Sequence, residues 1–452
     1  MKLIRLQSVR RYDGSPRASA CGGHPMSDAA TYWFSPAPSE VTSSRISLDF
    51  DLRAADLFFR ELVVPELGRI WFARQLSWPL AALALHEDVA SHGSNPPKPT
   101  AICHGIEALA CKLEYLVDPQ DPSRRILGRR AFGRDAEREV WSFHRLRQAT
   151  NYVRNTHRQA ATRALRVDGG LGFASGSRFD LLELEPVGRA LANAFLEQRV
   201  GKGGTSLRKW LLGWLEGDRE ISGWPKTLLQ ALSPEHATDD ERALVRSRLL
   251  GTSTSASEKR QRLARAIGRA GDLPSIEDGV VPRLREAGHR EQANEVVAAR
   301  AFGAVLDRAR DAVASLTRAV EPGRGGVKLA TLASDSALKR SLKDLRTASK
   351  NYVEKANTAG VREATSLSFA DAVVSGDDTE AIRILARRSG EVLGLADGSV
   401  TRGPLFRVVD GTDEASDLED GAASIEPDRT GRMFRIANLH SLLRDVDQRG
   451  AR

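Results

Sequence analysis

Apolar residues recur alternately four and three apart in two stretches of this chain. The first holds Phe302, Leu306, Ala309, Val313, Leu316 and Val320; the second holds Leu338, Leu342, Leu345, Ser349, Tyr352 and Ala356. Only a helix gathers residues at that spacing on one face. Pro322-Gly323-Arg324-Gly325-Gly326 separates the two stretches, and a helix does not continue through such a sequence. The spacing therefore predicts an antiparallel helical hairpin over 290–375. Each seam lasts about three heptads, which favours packing of the two helices on each other over oligomerisation.

Helical periodicity runs through most of the remaining sequence. Residues 52–64 and 66–90 read as helices on either side of Pro65, with Pro79 a kink or break. Ile102, Ile106, Leu109, Leu113 and Leu116 mark a helix over 101–117. Leu207, Trp210, Leu211, Trp214 and Leu215 form one apolar face, and Asp239 and Asp240 open a helix that Gly251 closes. The expected fold class is mainly α: a multi-domain helical protein with a central winged helix-turn-helix and a helical hairpin. The expected divisions are 1–44 as a disordered leader, 45–123 as a helical domain, 124–203 as the central module, 204–289 as a second helical domain, 290–375 as the hairpin and 376–452 as a C-terminal segment. In that segment 432–436 reads as a short strand and 439–446 as a final helix. Between Asp410 and Asp428 stand eight carboxylates and no Lys or Arg. That stretch reads as a solvated loop; the competing idea is an acidic segment that masks arginines elsewhere.

A chain of 452 residues exceeds a single ordinary core. Mean hydropathy is −0.35, and no run approaches the roughly 18 apolar residues of a membrane span; Trp78 to Leu85 is the longest candidate and stops at His86-Glu87-Asp88. No membrane partner is expected. Three cysteines, Cys21, Cys103 and Cys111, make no disulfide framework, so a reducing, cytoplasmic setting is expected. Residues 1–25 have four arginines and no apolar stretch. They read as a disordered leader or an upstream mis-start, with Met26 the natural beginning.

The basic excess is concentrated. Residues 124–166 contain twelve arginines against Asp135, Glu137 and Glu139, a local net charge of +9 where the whole chain carries +8. Arginine gathered on consecutive helices is the footprint of a phosphate-backbone partner. Residues 135–149 and 151–166 read as two helices. On the second, Val153, Ala161 and Leu165 face a core, while Arg154, Asn155, Arg158, Gln159 and Thr162 lie opposite, types that suit base edges and phosphates. Next come a strand at Leu171-Gly172-Phe173, a turn at Ala174-Ser175-Gly176-Ser177, a strand over 179–184 and a helix opened by Glu185-Pro186. The candidate contacts are Arg145, Arg147, Arg154, Asn155, Arg158, Gln159, Thr162, Arg163 and Arg178.

Helix, helix, hairpin, helix in this order resembles the winged helix-turn-helix family. Leu184-Glu185-Pro186-Val187-Gly188-Arg189-Ala190-Leu191-Ala192 looks like the segment after the wing in many bacterial members, and Gly169-Gly170 stands where the family has glycine after its recognition helix. The resemblance implies 151–166 as the recognition helix and 174–178 as the wing tip, over about 65 of the 452 residues. The wing has one basic residue, Arg178, and members of the family also dock proteins. In order of features the chain is also similar to uncharacterised bacterial proteins of phage-defence and restriction islands: Pro65-Glu66-Leu67-Gly68-Arg69-Ile70-Trp71-Phe72 and Trp78, the arginine block, then Arg435-Ile436-Ala437-Asn438-Leu439 with Arg444-Asp445.

Catalytic motifs are not evident. Gly201-Lys202-Gly203-Gly204-Thr205-Ser206 and Gly323-Arg324-Gly325-Gly326-Val327-Lys328 lack phosphate-loop spacing and read as linkers. Cys103, His104 and Cys111 lack a fourth metal ligand and read as buried thiols on a helical face. Asp180, Glu183 and Glu185 have no lysine nearby, and His86-Glu87-Asp88 reads as a solvated helix end. His144 and His157 read as phosphate contacts or core-edge residues. No catalytic residue, metal or cofactor is expected. The expected function is nucleic-acid binding, DNA first, by a non-catalytic subunit of a bacterial assembly, with anti-phage defence as its setting and other protein subunits as partners. The alternatives are a scaffold that uses the winged helix to dock protein and a nuclease with a dispersed site.

Overall fold

The computed structural model describes residues 48–92, 95–117, 127–134, 141–201, 203–217, 226–251, 254–268, 273–320, 326–389, 392–403 and 435–448. The expectations for the leader, for the acidic stretch 410–428 and for most of 118–140 lie outside the described residues. Within them the protein is mainly helical, with eighteen α-helices and three small antiparallel sheets.

The two apolar seams form the hairpin they predict. Helices Arg290–Ala319 (α13) and Ser336–Thr358 (α15) pack on each other, and every seam residue is buried. Phe302, early in α13, meets Tyr352, late in α15, at 5.5 Å between rings, and Ser315 Oγ lies 3.1 Å from Ser341 Oγ. The helices are thus antiparallel. Asp335 accepts the Leu338 N–H at 2.7 Å and fixes the start of α15. Phe59 of helix Arg53–Val63 (α1) stacks on Phe302 at 4.6 Å and joins the hairpin to the N-terminal helices.

The other organising element is helix Arg74–Ser91 (α2). All residues from Arg74 to Leu85 are buried, so the helix is enclosed on every side. Helices Pro99–Val117 (α3), His157–Leu165 (α6) and Pro186–Leu196 (α7) pack around it. Pro79 does not break the helix: α2 continues to Ser91, because packing on all sides outweighs one missing hydrogen bond. Its start is later than expected, since Gln75 Oε1 accepts the Trp71 and Phe72 N–H groups and holds 65–73 outside the helix.

The segment 141–200 follows the expected order with shifted boundaries. Phe143–Leu146 (α5) is a single turn, Ala149–Asn151 a 3₁₀ turn, and α6 starts at His157 rather than 151. Residues 171–173 are not a strand. Ala174–Ser175 (β1) pairs with Glu183–Leu184 (β2), leaving 176–182 as the loop. Proline opens α7. A Cβ on Gly188 would stand 1.9 Å from the Phe173 carbonyl oxygen, so only glycine lets α7 lie this close to the hairpin.

Of three other expectations, one holds and two change. Gly201 and Gly204 are turn residues with φ of 73° and 60°, joining strands Arg199–Val200 and Thr205–Ser206 in a hairpin instead of a linker. The helix expected at Asp239 is Asp239–Leu250 (α10), capped by Thr238 in a capping box and ended at Gly251. The final helix is Ile436–Asp447 (α18), so Ile436 is helical instead of strand. Among the described residues no helix is long and apolar enough to cross a membrane.

Candidate nucleic-acid interface

Residues 141–178 contain seven arginines and one carboxylate, Asp168. The structure sorts the nine candidate contacts into three groups. Arg147, Arg154, Gln159, Arg163 and Arg178 are exposed; Arg145, Asn155 and Thr162 are half-buried; Arg158 turns inward. On α6, Gln159, Thr162 and Arg163 follow helical spacing along the outer side, while Ala161, Ala164 and Leu165 are buried; Arg166, half-buried, lies just past the end of the helix. Thr162 Oγ1 donates to the Arg158 carbonyl at 2.7 Å, which occupies its hydroxyl hydrogen.

Arg147 lies over the Phe143 ring at 5.6 Å and 3.4 Å from His144 Nδ1. The Asn151 amide donates to the Arg145 carbonyl at 2.8 Å and ties the 3₁₀ turn to α5. Arg163 stands 3.5 Å from Glu61, with half its own side chain in solvent, while Glu61 is mostly buried and is held by Arg435 and the Glu66 N–H. No described carboxylate forms an ion pair with Arg145, Arg147, Arg154 or Arg178.

Arg158 serves the scaffold. Its guanidinium covers the Phe179 ring at 5.0 Å. Next to Phe179, Asp180 Oδ1 accepts the Thr100 N–H at 2.7 Å and also the Thr100 hydroxyl. The 176–182 loop is therefore fastened to α6 by one side and to the N-terminus of α3 by the other, and it presents Arg178 outward.

Behind α6 lies a carboxylate that periodicity did not single out. Glu107 is wholly buried on α3. Its Oε2 accepts the His157 N–H at 2.9 Å, and its Oε1 accepts the Arg158 N–H at 2.6 Å and the Cys103 thiol at 3.4 Å. Two N–H groups at the start of α6, which have no partner within their own helix, are satisfied by it. This fixes where the helix begins and explains why 152–156 stays irregular. The signal was present in the spacing: Cys103, Glu107 and Cys111 recur every four residues, and a lone carboxylate on a buried face requires donors. Both cysteines are free and buried. Among the described residues no three His, Cys, Asp or Glu side chains gather as metal ligands.

Burial pushes the Glu107 carboxyl up to about 7, against the pull of Cys103 and of the Arg158 and His157 amides. Burial also lowers His157 to about 4, and burial with the Arg158 charge lowers His104 to about 4. His157 packs against Trp78 at 5.8 Å between rings, and Gln75 Nε2 lies 3.2 Å from its Nδ1. The histidine contributions to stability are present above the ordinary imidazole value and are lost as pH falls toward 4. The Glu107 contribution is present below the ordinary carboxylate value and is lost as pH rises through about 7. Two histidines outweigh one carboxylate on the acid side. Thermal stability should peak near pH 6.5 and drop toward pH 4.5, and His157→Phe should flatten the acid limb in calorimetry. An unchanged acid limb in that variant would show that His157 is not among the groups responsible.

The other candidate groups are structural. Glu87 pairs with Arg189 at 2.8 Å and Asp88 with Arg208 at 2.5 Å, while His86 Nδ1 lies 2.9 Å from the Pro97 carbonyl. Glu87 is exposed and His86 and Asp88 are half-buried, so the stretch stays partly solvated while its two ion pairs reach α7 and helix Leu207–Leu215 (α8). Comparison with family models, with curated proteins and with solved structures gives no match to this chain.

Proposed function

We propose that this protein binds nucleic acid, DNA first, through the arginine face of residues 143–178, as a non-catalytic subunit of a bacterial assembly. One observation carries the reading: Arg147, Arg154, Arg163 and Arg178 reach solvent from a folded scaffold on which the only described carboxylate paired to any of them is Glu61. Cations placed without matching anions raise the local potential and attract a polyanion. Gln159 and Thr162 on the same side of α6 add the amide and hydroxyl types that read base edges. The winged-helix resemblance assigns α6 to a groove and the 176–182 loop to the adjacent backbone. The setting in anti-phage defence rests on the ordered likeness of Pro65–Phe72, the arginine block and Arg435–Leu439 alone. The test is fluorescence anisotropy of a labelled duplex with the full chain: saturable binding that weakens with salt supports the reading, and no binding at low ionic strength removes it.

A further inference from the structure

We infer that Glu107 is the positioning residue of the polyanion-binding face: it holds the N-terminus of α6 and thereby aims Gln159 and Arg163. The inference rests on the nucleic-acid reading for its consequence and on geometry for its cause. Three donors converge on the two carboxylate oxygens, two of them consecutive backbone N–H groups of α6 and the third the Cys103 thiol on the carboxylate's own helix. The helix has no cap of its own. Thr156, at the capping position, makes no capping bond and its hydroxyl has no partner among the described residues. A helix of nine residues is too short to hold itself. Its first turn is therefore secured by a carboxylate from fifty residues earlier in the chain. A carboxylate at a helix start is also favoured by the helix dipole.

The groups around Glu107 leave it no substitute. Cys103 and Cys111 flank it on α3, His157 and Arg158 face it from α6, and Tyr152, whose hydroxyl lies 3.3 Å from Cys111 Sγ, closes the side toward the 3₁₀ turn. Arg158 is an unsuitable replacement because it is a cation at the positive end of the helix. Without the carboxylate, His157 and Arg158 would have buried N–H groups with no acceptor. The first turn would fray, Arg158 would release Phe179, and the loop bearing Arg178 would lose one of its two fastenings.

The experiment compares the full chain with Glu107→Ala and Glu107→Gln by two readouts. The first is amide exchange of the peptide covering 153–166, corrected for intrinsic rate; the second is the salt dependence of duplex affinity. Glu107→Ala should lose protection at 157–158 while the α13–α15 hairpin stays protected. It should bind about tenfold more weakly, with a salt slope shallower by about 0.9 for every phosphate that is no longer neutralised. Glu107→Gln keeps one acceptor oxygen and should recover most of both. Full protection of 157–158 in Glu107→Ala overturns the positioning role, as does lost protection with unchanged affinity and slope. If Glu107→Ala does not fold, Glu107→Gln decides alone: affinity and protection equal to those of the original chain overturn the role, and a partial loss of both supports it. If the original chain binds no duplex while the exchange result holds, the clamp stands and the nucleic-acid reading fails.

Discussion

Reversing Arg147, Arg154 and Arg163 together to glutamate should abolish duplex binding and leave the fold intact. Arg147 and Arg154 are exposed, and the only described ion pair among the three is Arg163 with Glu61 at 3.5 Å. Each reversal removes one favourable phosphate interaction and adds one repulsion, so three of them should lower affinity at least about a thousandfold at roughly 0.1 M salt. Arg158 is left out deliberately, because it covers Phe179 and its removal would disturb the loop. The melting temperature should stay within a few degrees, since exposed charges of this kind carry about 1 kcal/mol or less each. A triple variant that folds normally and binds as the original does would exclude this face as the binding surface.

The second large effect belongs to the core. Arg74 and Glu241 are both fully buried and meet at 2.6 Å. Arg74 also donates to the Gln230, Ala231 and Ser233 carbonyls and to Gln198, while Glu241 accepts from Ser77 and the Thr238 N–H. Burial pushes the Glu241 carboxyl up, but the Arg74 charge and these bonds outweigh it and hold it below the usual range. The pair ties α2 to α10 and to the end of helix Lys226–Leu232. Removing one partner strands a buried charge. Arg74→Met should therefore cost about 3–5 kcal/mol, and the double variant Arg74→Met/Glu241→Leu should cost clearly less. Denaturant titration decides it: a single variant within about 1 kcal/mol of the original, or a double variant worse than the single, contradicts the role given to the pair.

Local pattern made some of this structure legible, and partners distant in sequence hid the rest. The hairpin could be read because Phe302 to Val320 and Leu338 to Ala356 each declare a face within one element. The helix at 239–250 could be read because its cap and its closing glycine are adjacent in sequence. The start of α6 could not, because it is set by Glu107 on another helix. For the same reason the ion pairs of Glu87 and Asp88 could not be read: their partners Arg189 and Arg208 lie over a hundred residues away. Gly201–Ser206 reads as a linker from its composition, and only the pairing of Arg199 with Ser206 makes it a hairpin turn. At the candidate interface the sequence located the arginines, yet outward and inward directions followed from where α6 begins. A helix from 151 would have set Arg158 beside Arg154; a helix from 157 turns it toward Phe179.

If the exposed arginines of 143–178 neutralise phosphates, counterion release measures it directly. Duplex affinity of the full chain should fall linearly on a log–log plot between about 50 and 200 mM salt. Roughly four to six arginine–phosphate contacts predict a slope of about −4 to −5. The triple arginine variant, if residual binding is measurable, should show a slope shallower by nearly three. A flat salt dependence in the original chain, or the same slope in both proteins, would contradict the account.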